Sequence, residues 1–354
     1  MPENTPQERI ILSTAAPTSF DPSGPAFRNN CFFSIEDSIE QAQVVFLSVP
    51  WDVTTSYRDG TRLGPQAILE ASYQVDLYHP QVPKIYERKC HTLPFPNEWL
   101  EKAGTLRPLA SRIIEKICEN PNAQLPEELK LQQETINRNC LELNQWSEDQ
   151  VSTILARGQI PITVGGDHAV SLGPLTALSK VHRDFSILHL DAHADLRIAY
   201  EGFTYSHASI MDEALKLESV SKLVQVGIRD VSEMEVERIK SDARIETYFD
   251  WDMKSALDAG ISWNRLCQDI VKHLSDKVYI SIDIDGFDPT LCPNTGTPVP
   301  GGLEFWHLKE LLQVLRQSGR TFIGADLVEV SPDPVTPWNE NVGARTLFEL
   351  LAMT

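Results

Sequence analysis

The sequence predicts one large α/β domain, a parallel sheet sandwiched between two layers of helices. Three observations predict it. Short apolar runs alternate with helical patterns from residue 44 onward, no internal repeat divides the 354 residues, and 42% of them are hydrophobic, enough to bury a sizeable core. Alternation of the two element types demands crossovers, and crossovers make parallel strands that helices cover on both faces. The strand candidates, in order, are residues 44–50, 162–164, 185–191, 223–228, 278–285 and 323–330, each a short run rich in Val, Ile or Leu. Helical patterns fill residues 64–77, 106–119, 129–157, 172–180, 209–217, 263–274 and 303–318. The first of them opens with Pro65, whose fixed φ and missing N–H suit a first helical turn.

Residues 1–43, with Pro2, Pro6, Pro17, Pro22 and Pro25, read as an arm lying over the surface of a catalytic domain at 44–354. From about residue 80 to 126 the rhythm breaks at Pro80, Pro83, Pro94, Pro96, Pro108, Pro121 and Pro126, which reads as an insertion with one or two helices. Lys and Arg number 31 against 50 Asp and Glu, a net charge of −19 that repels nucleic acid and anionic membranes and suits a cationic ligand or a metal. The six cysteines show no CxxC spacing and read as reduced thiols. No apolar run approaches the roughly 20 residues a bilayer span needs, and residues 1–24 hold no apolar signal core. The expected location is the cytoplasm.

Three strand ends depart from the apolar rule in the same way: Gly165-Gly166-Asp167-His168, Asp191-Ala192-His193-Ala194-Asp195 and Asp283-Ile284-Asp285-Gly286-Phe287-Asp288. Ligands of open parallel sheets bind beyond the carboxyl ends of the strands, so the three segments can meet in one crevice. Alternation along an extended chain sends Asp191, His193 and Asp195 to one side, and likewise Asp283 and Asp285. A single Asp-x-His after a strand more often caps a helix or ties a loop. Three such motifs need another explanation, because four buried carboxylates repel one another unless cations cancel their charge. Two divalent ions would do so. Carboxylates with two imidazoles favour Mn²⁺ and admit Ni²⁺, Co²⁺, Fe²⁺ or Zn²⁺.

The segments GGDHAVS, DAHADLR and SIDIDGFDP resemble the signature segments of the ureohydrolases, the arginase and agmatinase family, and the likeness runs from about residue 44 to the C-terminus. The resemblance implies an arginase-type single domain, a manganese pair, and a homotrimer or homohexamer. It also implies two ligand sets: His168, Asp191, Asp195 and Asp283 for one ion, and Asp191, His193, Asp283 and Asp285 for the other. The substrate class it implies is a small cationic guanidino compound. That agrees with the chemistry, since a resonance-stabilised guanidinium carbon resists water, and cations that lower the pKa of a water between them make hydroxide available at neutral pH.

A departing amine must leave protonated, and His207, twelve residues beyond Asp195, is the candidate acid, resembling the family's proton-transfer histidine. Glu329, at the end of the last strand candidate, resembles the carboxylate that orients the guanidinium by charge-assisted hydrogen bonds. Asp326 nearby is ambiguous. Thr297, in Thr295-Gly296-Thr297-Pro298, resembles a substrate-side residue, while the Thr-rich loop at residues 51–61 reads as a pocket rim that could narrow the entrance. Residues 197–205 carry Tyr200, Phe203 and Tyr205 but no arginase-like set for an α-amino acid head. The expected substrate is therefore agmatine, with guanidine (under Ni²⁺) or guanidinobutyrate as alternatives. Two other classes are a metal-holding scaffold without activity, against which His207 and Glu329 argue, and a single-zinc deacetylase, which has no use for the Asp283-x-Asp285 pair.

Overall fold

A strand covered on both faces has to be apolar along its length, and Val44–Val49 is buried at all six positions. It is the first of eight parallel strands in the computed structural model, which describes residues 21–333 and 335–354. They are Val44–Val49 (β1), Cys90–Thr92 (β2), Ile160–Gly165 (β3), Phe185–Leu190 (β4), Val220–Ile228 (β5), Ile245–Phe249 (β6), Lys277–Asp283 (β7) and Thr321–Val328 (β8). Their order across the sheet is β2-β1-β3-β8-β7-β4-β5-β6.

The helices are Gly64–Ser72 (α1), Asn97–Glu119 (α2), Glu127–Ala156 (α3), Leu172–Val181 (α4), Ile210–Ala214 (α5), Glu233–Ser241 (α6), Asp250–Asp258 (α7), Trp263–Lys272 (α8), Phe305–Gln317 (α9) and Trp338–Leu351 (α10). They pack as two layers. Ile68 of α1, Ile270 of α8, Leu311 of α9 and Leu347 of α10 fill one face of the sheet. Ile113 of α2 and Ile136 of α3, with Leu175 of α4 and Met211 of α5, fill the other. This is the expected α/β/α sandwich.

All six expected strands are present; two more complete the sheet, and both are edges. Cys90–Thr92 holds no run of branched residues, and Ile245–Phe249 buries only Ile245, so neither carries the continuous apolar signal of a central strand. Helix α6, Glu-Met-Glu-Val-Glu-Arg-Ile-Lys-Ser, buries only Glu235 and announces itself by a Ser232/Glu235 capping box instead. Helices α7 and α10 were likewise not expected. Within residues 80–126 the chain forms β2 and a single helix that starts at Asn97, well before residue 106, and continues through Pro108. Helix α1 ends at Ser72 rather than 77, and α5 spans five residues after a 3₁₀ turn at His207–Ser209.

Residues 1–20 of the expected arm lie outside the described residues; beyond them, Phe32 and Phe33 are buried, with ring centroids 5.0 Å from Phe46 and 5.6 Å from Phe348, respectively. All six cysteines are free thiols. Among the described residues no helix is long and apolar enough to cross a membrane.

Candidate metal centre and substrate cavity

Four neighbouring strands end level with one another. Val164, Leu327, Ile282 and Leu190 stand in register across β3, β8, β7 and β4, so the residues after them leave the sheet side by side. Strands β1 to β3 lie to one side of this point and β4 to β6 to the other, the reversal at which an open sheet leaves a crevice. Strand β3 delivers His168 on a 3₁₀ turn, β4 the segment Asp191–Asp195, β7 Asp283 and then Asp285 on its own 3₁₀ turn, and β8 Glu329.

The convergence owes less to strand alternation than the spacing suggested. Strand β4 stops at Leu190, and Asp195 turns back through φ +54°. Glu329 likewise sits at φ +62°. Non-glycine residues held in this region cost about 1 kcal/mol or more and recur where function fixes a side chain.

His168 is the centre of one group. Its Nδ1 lies 3.1 Å from Asp195 Oδ2, 3.2 Å from Asp191 Oδ2 and 3.5 Å from Asp283 Oδ2. His193 is the centre of the other, with Nδ1 3.1 Å from Asp285 Oδ2 and 3.5 Å from Asp191 Oδ1. Asp191 thus faces both imidazoles, one oxygen to each. Asp283 turns Oδ2 toward His168, while its Oδ1 accepts the Asp285 N–H at 2.9 Å. All four carboxylates are buried.

This donor set fits divalent cations. His168 Nδ1 is buried without a hydrogen-bond partner, a nitrogen aimed into the carboxylates. Without a cation, protons gather there instead. Burial opposes charge on both rings, yet Asp191, Asp195 and Asp283 hold His168 well above the usual histidine range, and Asp285 and Asp191 push His193 up to about 12. Burial, with Asp191 adding to it, lifts Asp195 to about 6, and burial, then Asp285 and Asp191, hold Asp283 well above the usual carboxylate range. Added positive charge in the crevice would relieve all four of these upward shifts, while Asp191, held against its burial well below the usual range by His189, His168 and His193, is already fully charged for a cation.

Behind the cluster, His168 Nε2 donates to Ser281 Oγ at 2.8 Å, Ser281 donates to Asp326 Oδ1 at 2.8 Å, and Tyr279 donates to Asp326 Oδ2 at 2.7 Å. This chain puts the ring proton on Nε2 and leaves Nδ1 a lone pair for a metal. Asp326, ambiguous in sequence, is the buried anchor of that chain.

In front lies a cavity of about 150 Å³, lined by Ser56, His193, Asp195, Arg197, Tyr200, His207, Ala208, Asp230, Glu235 and Thr297. It is smaller than the roughly 300–1,000 Å³ of a drug-sized site and suits a small ligand. His207 is held between Ser56 Oγ, 3.2 Å from Nε2, and Ser206 Oγ, 3.3 Å from Nδ1. Burial, with His193 and His168 beside it, pushes its ring down to about 3, so it stands neutral at neutral pH. Glu329 Oε1 accepts the His168 N–H at 2.9 Å, while Oε2 is buried and unpartnered.

The rim differs from the threonine-lined entrance expected. Thr54 Oγ1 donates to the Tyr205 carbonyl at 3.2 Å and Thr55 Oγ1 to the Asp52 carbonyl at 3.0 Å, so both turn inward. Trp51 packs in the core, edge-on to Trp99 at 5.9 Å, and Phe203 is buried. From the two expected rim loops and the Thr295–Pro298 turn, Ser56, Arg197, Tyr200 and Thr297 reach the cavity.

A match to the arginase family runs from residue 42 to residue 352. The chain belongs to the arginase family. Among its relatives are the agmatinase of Bacillus subtilis (31% identical, over 87% of this chain and 90% of that one) and the guanidinobutyrase of Pseudomonas aeruginosa (28%, over 89% and 87%). The agmatine ureohydrolase of Thermoplasma volcanium superposes with a TM-score of 0.70, at 24% identity over 92% of this chain and 94% of its own. This arginase-family chain is of the agmatinase-like branch, and membership implies a binuclear divalent-metal site, for which the His/Asp cluster is the candidate.

Sequence reasoning missed three residues of this site. His189, inside Phe-Ser-Ile-Leu-His-Leu, lies with His168, Asp191 and Asp195 close enough to ligate a metal; a histidine two residues before Asp191 in an otherwise apolar strand was the signal. Arg107 of α2 is buried and donates to the carbonyls of Val53 at 3.1 Å and Thr55 at 2.6 Å, holding the loop that brings Ser56 to His207; nothing local marks it. Ser56 itself was one hydroxyl among several in that loop.

Proposed function

We propose that this chain hydrolyses the guanidino C–N bond of a small cationic substrate, agmatine first, to urea and an amine, using two divalent ions, Mn²⁺ in the first place. The observation that carries the reading is a pair of unsatisfied groups at the ends of neighbouring strands: His168 Nδ1 buried among three carboxylates, and Glu329 Oε2 buried without a partner, its other oxygen on the His168 N–H. His168, Asp191, Asp195 and Asp283 would hold one ion, and Asp191, His193, Asp283 and Asp285 the other. When bound, the ions supply Lewis acidity and make hydroxide available at neutral pH.

The chain's own residues do the rest. Glu329 receives the guanidinium N–H groups on Oε2, with its orientation fixed by the His168 N–H on Oε1. His207, neutral and braced by Ser56 and Ser206, takes up a proton and returns it to the departing nitrogen, so that an amine leaves rather than an amide anion. Thr297 lines the same cavity as His207 and contacts the substrate there. The net charge of −19, with Asp230 on the cavity wall, draws in a cation, while Glu235 there is paired with Arg197 at 3.8 Å.

The small cavity favours a second reading, guanidine itself as the substrate, for which Ni²⁺ is the metal proposed. Relatives that act on agmatine and guanidinobutyrate support the substrate class. A cytoplasmic homotrimer or homohexamer completes the proposal, in keeping with the free thiols. Colorimetric urea release from agmatine, guanidinobutyrate, guanidine and arginine, with and without added metal, tests it. No urea from any of them would overturn it.

A further inference from the structure

His189 is placed where it could be a metal ligand, but its surroundings give it another role. The ring is buried in β4, its centroid 5.2 Å from that of His168, with Nε2 2.8 Å from Asp191 Oδ2. The residue that decides is Gln225, its register partner on β5. The Gln225 side-chain nitrogen lies 2.8 Å from the Ala194 carbonyl, which can only accept, and 3.0 Å from His189 Nδ1, while its oxygen accepts the Thr247 hydroxyl at 3.0 Å. Reversing the amide would set two oxygens against each other at Ala194. The amide therefore donates to Nδ1, which holds a lone pair, and the ring proton sits on Nε2, pointed at Asp191. A protonated nitrogen cannot bind a metal.

We infer that His189 is a positioning residue, a neutral donor that Gln225 and Thr247 lock onto Asp191 Oδ2 so that this carboxylate lies across the two metal positions. Asp191 Oδ1 accepts the His193 N–H and Oδ2 takes the His189 N–H, so the carboxylate cannot rotate, and one oxygen faces each ligand imidazole. Partners of this kind commonly change metal affinity about 10- to 100-fold. The inference rests on the metal-centre reading.

Chelator-stripped full-length protein titrated with Mn²⁺ by calorimetry tests it. Wild type should take two ions; His189→Leu should weaken one of the two affinities by about 10- to 100-fold, and His189→Gln, whose amide N–H can reach Asp191, should recover most of the loss. Unchanged affinities in His189→Leu, or His189→Gln no better than His189→Leu, would overturn the donor role. Histidine ¹⁵N NMR of Zn²⁺-loaded wild type needs no variant: the His189 proton belongs on Nε2, and a proton on Nδ1 would also overturn it. Failure of wild type to bind two ions would instead overturn the metal-centre reading.

Discussion

Glu329→Gln removes one charge and almost no volume from the crevice, which makes its effect calculable. In the wild type Oε1 accepts the His168 N–H at 2.9 Å, and Oε2 is buried with no partner. Burial, with Asp283 and Asp167 nearby, holds this carboxyl well above the usual range, so a cationic guanidinium arriving at Oε2 meets a group that gains from it. The glutamine keeps the bond to His168 through its carbonyl and turns its NH₂ toward the substrate, donor against donor. A hydrogen bond to a charged group contributes about 1.5–3 kcal/mol, which at about 1.4 kcal/mol per decade is roughly a 10- to 150-fold loss in kcat/KM. Initial rates of urea release over a range of agmatine concentrations, on protein with verified metal content, give the ratio. Wild-type kcat/KM with two ions bound would show that Glu329 does not hold the substrate.

His207→Ala should keep both ions and lose on the order of 100-fold or more in kcat; a wild-type rate would remove His207 from proton transfer. Asp283→Ala should lower metal content and rate together, measured by elemental analysis and urea release; full occupancy would sink its ligand role. Metal affinity should rise with pH: His168 and His193, both raised well above their usual range by the carboxylates, must lose protons before a cation can bind, so each step down in pH opposes loading. Mn²⁺ affinity that is flat from pH 6 to pH 8 would contradict that.

The fold was legible where burial on both faces forced continuous apolar runs, as in β1, β4 and β7. It was not legible at the sheet edges, where Cys90–Thr92 and Ile245–Phe249 carry little apolar signal, nor in α6, which buries only Glu235. At the centre, the acids and imidazoles could be picked out because they break an apolar pattern at strand ends, and the structure brings His168, Asp191, His193, Asp195, Asp283 and Asp285 together. How they meet was hidden, since Asp195 depends on a left-handed backbone rather than on alternation. The supporting residues were hardest to see. Arg107 reaches the cavity loop from a helix more than 40 residues away in sequence, and Ser281 and Asp326 act through His168 from two neighbouring strands.

The most direct test of the central claim is urea production by the purified chain, stripped of metal and then reloaded with Mn²⁺ to saturation, with kcat/KM compared for agmatine, guanidinobutyrate, guanidine and arginine. The account predicts two ions per chain, no urea without them, and agmatine ahead of arginine. Urea from the stripped protein would contradict the metal chemistry, and arginine as the best substrate would contradict the reading of the cavity.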